Sequence, residues 1–320
     1  MPFLQKLLTK FNGLQYPQEY LCIGLESFEQ PLYVYLADNE KVIKDITICH
    51  AFVGYHPLIL ALDAKDGRGD TIDIIFCNKA LQPNEVFSQK DAIATLRLQK
   101  IKGQSFQNNI SFYEGIDGKH GFVSSFHQWV IGLNNTLYNK KKGNVFLHDN
   151  LYKQVQIAYA LPRNISLITV SQNNSFNLFP TDLHGTVDEQ HYIISLRFSG
   201  KACRQVESTG KIIISQVHKE FYKTVYGLGK NHMQEMKPKE NFPFSKLASS
   251  NLQLPIPESA LFYRELELQD SFNHGIHKLM VFRVLSGHQV DNNPSTLAHI
   301  HNAYATWRHN NRLPGNYLLR

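Results

Sequence analysis

Between Asn164 and Val217 three apolar runs, each about long enough for one strand, are separated by polar turns, and this constrains the chain more than any other feature. A run over 165–170 ends in the turn Gln172-Asn173-Asn174-Ser175, and a return run passes through Asn177, Pro180, Thr181 and Asp182. A third run over 192–198, apolar at nearly every position, leads straight into Ser199, Gly200 and Lys201, which open a helix. Short apolar runs bounded by Asn, Ser and Gly read as strands. The helix stops at Gly210, the residue type that tolerates the left-handed conformation at a helix C-terminus. Strand ends and a positive helix start brought to one place suit a flat, phosphorylated ligand. Free helix N–H groups attract an anion, Arg197 offers a fork of donors and Lys201 a point charge. A solvent-facing strand end with an ordinary cap fits the same residues, and spacing alone does not separate the two readings.

A chain of 320 residues predicts two domains, each large enough for its own core. With 42% hydrophobic and 19% charged residues it reads as globular and not disordered. The longest strongly apolar stretch, 57–62, is too short to span a bilayer, and the N-terminus lacks the apolar core and cleavage site of a signal peptide. Phe3, Leu4, Leu7, Leu8 and Phe11 share one helical face, with Lys6 and Lys10 off it. That pattern suits either a membrane-surface helix or one packed on its own domain, and the second is the expectation. The expected location is the cytoplasm, with no membrane partner. Cys22, Cys49, Cys77 and Cys203 are scattered and predict buried thiols, without disulfides or a zinc site. A net charge of +6 suits an anionic partner such as a nucleotide phosphate. The basic run Lys140 to Lys142 has no nucleic-acid motif around it and reads as solvated charge, so no nucleic-acid partner is expected.

From residue 20 to about 122 the chain reads as many short strands, among them 20–25, 32–36, 46–51, 58–61, 71–76 and 94–98. Asp117-Gly118 reads as a hairpin turn. Ser124 or Ser125 caps a helix carrying Phe126, Trp129, Val130, Leu133 and Leu137. The Asn- and Lys-rich segment 139–144 marks a boundary between domains 1–148 and 149–320. Helix is predicted over 149–160. Two strands, 260–269 and 277–286, are expected to join across a turn at 271–275. Asn293-Pro294 is expected to start a helix bearing Leu297, Ile300, Tyr304 and Trp307. No internal repeat stands out, although the strand count of the first half would suit a degenerate second barrel.

The second half resembles the flavin-reductase-like family, proteins with an FMN-binding split barrel. Thr169, Val170 and Ser171 match that family's strand end, Asn177 its Asn, and Thr181-Asp182 the pair that follows. The run over 193–197, with Ser195 and Arg197, matches the third strand; Ser199 and Lys201 fall at its helix start, and Ser208 to Lys211 precede the next strand. His277 and the strand after it resemble a Gly-Asp-His motif. The departures are a turn without Gly, a carboxylate at Asp182, and no Asp before His277. The resemblance implies a mainly β protein with flanking helices. It also implies FMN held by the residues just named, NADH or NADPH as transient hydride donor, and a homodimer or an internally paired equivalent. His232, on the loop after Gly229, is on this reading a proton donor beside the ring; an ordinary loop histidine is the alternative. The predicted function is an FMN-dependent NAD(P)H oxidoreductase, the alternative a non-catalytic flavin-binding or interaction protein.

Other chemistries find no foothold. No Gly-x-Gly-x-x-Gly, Gly-x-Ser-x-Gly or phosphate-binding loop is present. His299 and His301, two apart on an expected helix, would face apart, and His274 and His277 lie across a turn without a nearby carboxylate or Cys, so no metal site is expected. Arg68-Gly69-Asp70 reads as a coincidental tripeptide.

Overall fold

The computed structural model describes residues 7, 11, 13–16, 18–26, 32–38, 40–67, 69–88, 90–106, 109–138, 145–314 and 317–319. Most of the predicted N-terminal helix, Arg68, the run Lys140 to Lys142 and the 139–144 boundary lie outside the described residues. The chain is mainly β, with two seven-stranded antiparallel sheets and flanking helices.

The first sheet contains β2 (Tyr33–Asp38), β3 (Lys41–Asp45), β4 (His50–Tyr55), β5 (Leu58–Asp63), β6 (Thr71–Cys77), β7 (Ala92–Phe106) and β8 (Ile110–His120), preceded by β1 (Tyr20–Leu25) outside it. Helices α1 (Ser125–Tyr138) and α2 (Asp149–Ala158) follow, then the short β9 (Arg163–Asn164). The second sheet contains β10 (Ser166–Gln172), β11 (Ser175–Thr181), β12 (His184–Thr186), β13 (His191–Arg197), β14 (Lys211–Val217), β17 (Ala260–His274) and β18 (His277–Gln289). Between its strands lie α3 (Lys201–Thr209), α4 (Tyr222–Gly227) and a ribbon of β15 (Phe244–Ala248) with β16 (Pro255–Pro257). The chain ends in β19 (Thr296–His301), α5 (Asn302–Asn310) and β20 (Tyr317–Leu318).

The strand orders are β3-β2-β6-β7-β8-β5-β4 and β11-β10-β14-β17-β18-β13-β12. Taken in chain order, these are one topology used twice. The strand count of the first half suits a degenerate second barrel, yet no repeat stands out in the sequence, because strand order is a property of the backbone and the two halves keep it with unlike side chains. The first half is therefore a second barrel built to the same plan. Each sheet curls around its own core: six strands, from Val34 to Tyr113, feed one cluster, while Ile168, Phe179, Ile194, Ile212, Leu266 and Phe282 feed the other beneath α3.

Alternate residues of the same strands form a third cluster between the barrels. Ile193, Leu279 and Val281 point out of the C-terminal barrel, against Ala51, Val53, Ile59, Ala61, Ile110 and Phe112 of the N-terminal one. Successive strand residues face opposite ways, so a strand buried on both faces must be apolar throughout. That explains why β13 is apolar at nearly every position between Tyr192 and Leu196, Ser195 excepted. The ends of the chain tie the halves further: β1 pairs with β19, which pairs with β9, and Tyr304 of α5 lies in the N-terminal core.

Local chemistry explains several elements. Asn173 and Asn174 take φ of 49° and 59°, closing a two-residue hairpin with the positive φ that Asn tolerates. Gly210 caps α3 at φ 65°. Asp117-Gly118 is not a turn: β8 runs through it, and Gly115 and Gly118 instead make room for Gln154 of α2, while Gly118 N–H donates to Asn150 Oδ1 at 2.7 Å. The strand expected over 46–51 contains the turn before β4, held by Asp45 Oδ1 accepting from Thr47 N–H. Residues 271–274 belong to β17, because Phe272 packs into the inter-barrel cluster and His274 pairs with Glu114 at 2.7 Å. Residues 296–301 form β19 and not a helix. Flanked by β1 and β9, this strand is largely buried on both faces, so its apolar residues do not alternate with exposed polar ones.

At the β17–β18 turn, Gly275 sits at φ 59°, and a Cβ there would collide with the His56 carbonyl oxygen and Pro57 Cδ across the barrel seam. Gly275→Ala is expected to destabilise the protein by about 2–4 kcal/mol, from the left-handed penalty plus overpacking. Gly229→Ala, with nothing within 4 Å of its would-be Cβ, is the control. Urea unfolding of both variants checks it, and equal stability would contradict the tight seam.

Candidate functional site

Where the barrels meet, a cavity of about 550 Å³ opens beside β4 and β12, within the range typical of ligand pockets. The N-terminal barrel contributes His50, Ala51 and Phe52; the C-terminal half contributes Arg163, Asn164, Asp182, His184, Tyr192 and Arg264. Neither barrel forms this wall alone.

Arg163 is the clamp. Its guanidinium donates to the Phe52 carbonyl in one barrel and, at 2.9 and 3.1 Å, to the Asp182 carbonyl in the other, and it lies 4.9 Å over the Tyr159 ring. The Asp182 carboxylate accepts from Tyr159 Oη–H at 3.1 Å and from His299 Nδ1–H at 2.8 Å, while Tyr226 Oη meets His299 Nε2. Burial would raise the Asp182 pKa, but the bond and charge from His299, then Arg163 and Tyr159, outweigh it and hold the group well below the usual carboxylate range.

His184 Nε2–H donates to the Asn164 carbonyl at 2.9 Å, so its Nδ1 accepts from Tyr192 Oη–H at 2.6 Å, and the two rings stack at 17°. Burial and then the Arg163 charge push His184 down to about 4. Burial likewise brings His50 to about 4, against a hydrogen bond to the Ile46 carbonyl. Both imidazoles are thus neutral at pH 7. Arg264 differs: its guanidinium lies 4.7 Å from the Phe262 ring centre and 5.6 Å from that of Tyr192, with no acidic or carbonyl partner among the described residues. Asn164 Oδ1 is buried on the same wall without a hydrogen-bond donor among the described residues.

Of the residues singled out in the sequence, Asp182 lines this cavity. Ser195, Arg197 and His277 come together elsewhere on the seam. His277 Nε2 accepts from the N–H groups of Tyr55 and His56 at 3.1 and 3.4 Å, which leaves its proton on Nδ1, facing Ser195 Oγ at 3.1 Å. Arg197 donates to Tyr55 Oη and lies over that ring. Burial, then Arg197, brings His277 to about 4. Lys201 pairs with Glu235 at 2.6 Å at the start of α3, whose N-cap is Gly200; Ser199 beside it is exposed. Thr169 and Val170 are buried in β10, Ser171 is half-buried, and Thr181 closes β11. Asn177 Nδ2 donates to Gln205 Oε1 and the Asn231 carbonyl, and His232 Nε2–H to the Pro180 carbonyl at 2.7 Å. Burial lowers the His232 pKa. Among the described residues no three His, Cys, Asp or Glu side chains form a metal-binding group.

Sequence reading missed His50, Arg163, His184, Tyr192 and Arg264. Their only signal was Arg264, a cation that follows Leu261, Phe262 and Tyr263 and directly precedes Glu265.

No protein-family model matches the chain, and no curated protein matches it. Solved structures do resemble part of it. An FMN-binding protein from Thermus thermophilus, with p-hydroxybenzaldehyde bound, is 20% identical over 41% of this chain and 74% of its own, with a TM-score of 0.37. The flavin reductase component of a bacterial two-component tryptophan halogenase is 14% identical over 48% and 94%, TM-score 0.40. The styrene monooxygenase flavin reductase of Pseudomonas putida S12 is 16% identical over 47% and 93%, TM-score 0.38. The likeness is to a flavin-reductase-like fold over part of the chain. At these scores it says nothing of the chemistry in this pocket.

The neutral histidines set a pH dependence. His50, His184 and His277 stay unprotonated when folded down to about 4, whereas an unfolded imidazole protonates near 6.5. The unfolded chain therefore binds more protons as pH falls, so stability is full above about 6.5 and declines towards 4, by at most about 3 kcal/mol per histidine. Urea unfolding at pH 7.5, 6 and 5 is expected to show that decline. A flat profile would contradict the neutral assignment.

Proposed function

We propose that the inter-barrel pocket binds FMN and that the chain is a flavin-dependent oxidoreductase drawing on NADH or NADPH. The observation that carries this reading is Arg264: a cation without a carboxylate partner among the described residues, laid against aromatic rings on a pocket wall. Such a group suits a phosphate, and as an Arg it offers several donors to it. The remaining wall fits the same ligand. Stacked Tyr192 and His184 offer ring surface. Asn164 Oδ1 can accept from a ring N–H or a ribityl hydroxyl. His50 and His184, being neutral, add no charge beside the ring system. Asp182 does not repel the phosphate freely, since Tyr159 and His299 hold its carboxylate. Bound flavin would supply the redox chemistry, accepting electrons from a reduced nicotinamide. The protein's part is to hold the ring between the barrels and keep water from much of it.

Because one chain supplies both barrels, the internal pair stands where two subunits would otherwise be needed, and the working unit is a monomer in a cytoplasmic setting. Light scattering checks this, and a stable dimer at micromolar concentration would contradict it.

A hydrogen bond to a charged group contributes about 1.5–3 kcal/mol, so Arg264→Ala is expected to weaken FMN binding roughly 10- to 100-fold while leaving riboflavin, which lacks the phosphate, almost unchanged. Fluorescence titration with both flavins checks it; equal losses would mean that Arg264 supports the fold and not a phosphate. Turnover is a separate question. Anaerobic NADH or NADPH is expected to bleach the bound flavin, with air restoring the colour. A flavin that stays oxidised under excess of both nucleotides would leave a binding protein and not an enzyme.

A further inference from the structure

Several acceptors on the wall of the inter-barrel cavity have no donor. His50 Nδ1–H donates to the Ile46 carbonyl at 2.6 Å, which leaves the lone pair on Nε2, and no donor meets that atom among the described residues. The side-chain bonds of Asp182, from Tyr159 and His299, both end on Oδ2, so Oδ1 has no donor among the described residues either. Asn164 Oδ1 is in the same condition. His50 lines the cavity from the N-terminal barrel, Asn164 and Asp182 from the C-terminal half. His184 differs, because both of its ring nitrogens are engaged. An acceptor withdrawn from water costs free energy until a donor meets it. Burial keeps His50 neutral at pH 7 and so keeps its Nε2 an acceptor.

On the same wall Arg264 is a cation without a hydrogen-bond acceptor among the described residues. One ligand group cannot serve both needs. A phosphate dianion meets a guanidinium, but it has no O–H or N–H to give to a carboxylate or an imidazole lone pair. The ligand must therefore carry its donors on a part of the molecule other than its anion. An oxidised flavin ring has a single N–H, fewer donors than these acceptors can take. The ribityl arm between ring and phosphate has a hydroxyl on each inner carbon, and each hydroxyl is a donor. We infer that His50 and Asp182 determine specificity by accepting the hydroxyl groups of a phosphorylated polyol, with Asn164 beside them. The ligand class is a polyol phosphate, whether free or as the arm of a flavin nucleotide. This deepens the flavin reading and rests on it for Arg264 as the phosphate partner. Tyr159 and His299 are positioning residues: by holding Oδ2 they fix the place of Oδ1.

The test is calorimetric titration of the full chain with ribitol 5-phosphate, with n-pentyl phosphate, which has the same chain without the inner hydroxyls, and with inorganic phosphate. Ribitol 5-phosphate is expected to bind at least roughly 10-fold more tightly than either of the others, since one of its new bonds ends on a charged acceptor. Asp182→Asn keeps an oxygen for Tyr159 and His299 and puts an amide N–H where Oδ1 was. It is expected to lose roughly 10-fold for ribitol 5-phosphate and almost nothing for pentyl phosphate. The comparison of ligands on the unaltered protein holds even if the variant does not fold. Equal affinities for the three phosphates, or no binding of any, would overturn the inference, and FMN binding beside that result would leave the flavin reading in place. Preferential binding of ribitol 5-phosphate without FMN binding would support the inference and remove the flavin. A folded Asp182→Asn variant that keeps the full preference would overturn the role of Asp182.

Discussion

The seam between the barrels is the contact on which the rest depends. Strands β5, β8, β13 and β18 each bury one face in a barrel core and the other against the opposite barrel. Either barrel alone would leave a sheet face of Ile, Leu, Val and Phe in water. At about 25 cal/mol per Å² of apolar area, such a face contributes strongly to keeping the halves together. The polar contacts across the seam then fix its register: His277 on the Tyr55 and His56 amides, Arg163 on the Phe52 carbonyl, His274 on Glu114. Burial costs these groups something, and only the neutral form of His277 can accept two N–H donors.

The pocket follows from that juxtaposition. Its floor comes from β4 of one barrel and its polar wall from β12, β13 and β17 of the other. Arg163 and Arg264, both cationic, divide the work. The first is spent on main-chain carbonyls of both barrels and holds the cavity's shape. The second rests on rings, without a hydrogen-bond acceptor among the described residues. The chain Tyr226–His299–Asp182–Tyr159 behind the wall keeps a carboxylate ionised without aiming a bare charge at a ligand.

Much of the local structure was legible. The Asn173-Asn174 hairpin, the Gly210 cap and the third apolar strand follow from φ preference and periodicity, which act over a few residues. What was not legible depends on partners far away in sequence. Gly118 looked like a turn residue because its reason, Gln154, lies on another element. Residues 296–301 looked helical because burial on both sides of β19 erases the alternation that marks a strand. The doubling of the barrel left no trace in residue identity, so the pocket at its seam had none either. The region 164–201 drew attention for its helix start, where Lys201 in fact has Glu235 as partner. The cavity lies at the other end of the same barrel's hairpins, and only Asp182 belongs to both descriptions.

The most direct measurement is a crystal structure of the protein grown with FMN. The account predicts one flavin per chain, between β4 and β12, its phosphate within hydrogen-bond distance of the Arg264 guanidinium and its ring beside Tyr192. Flavin density at the start of α3, by Lys201 and Ser199, or density on the surface of only one barrel, would contradict it.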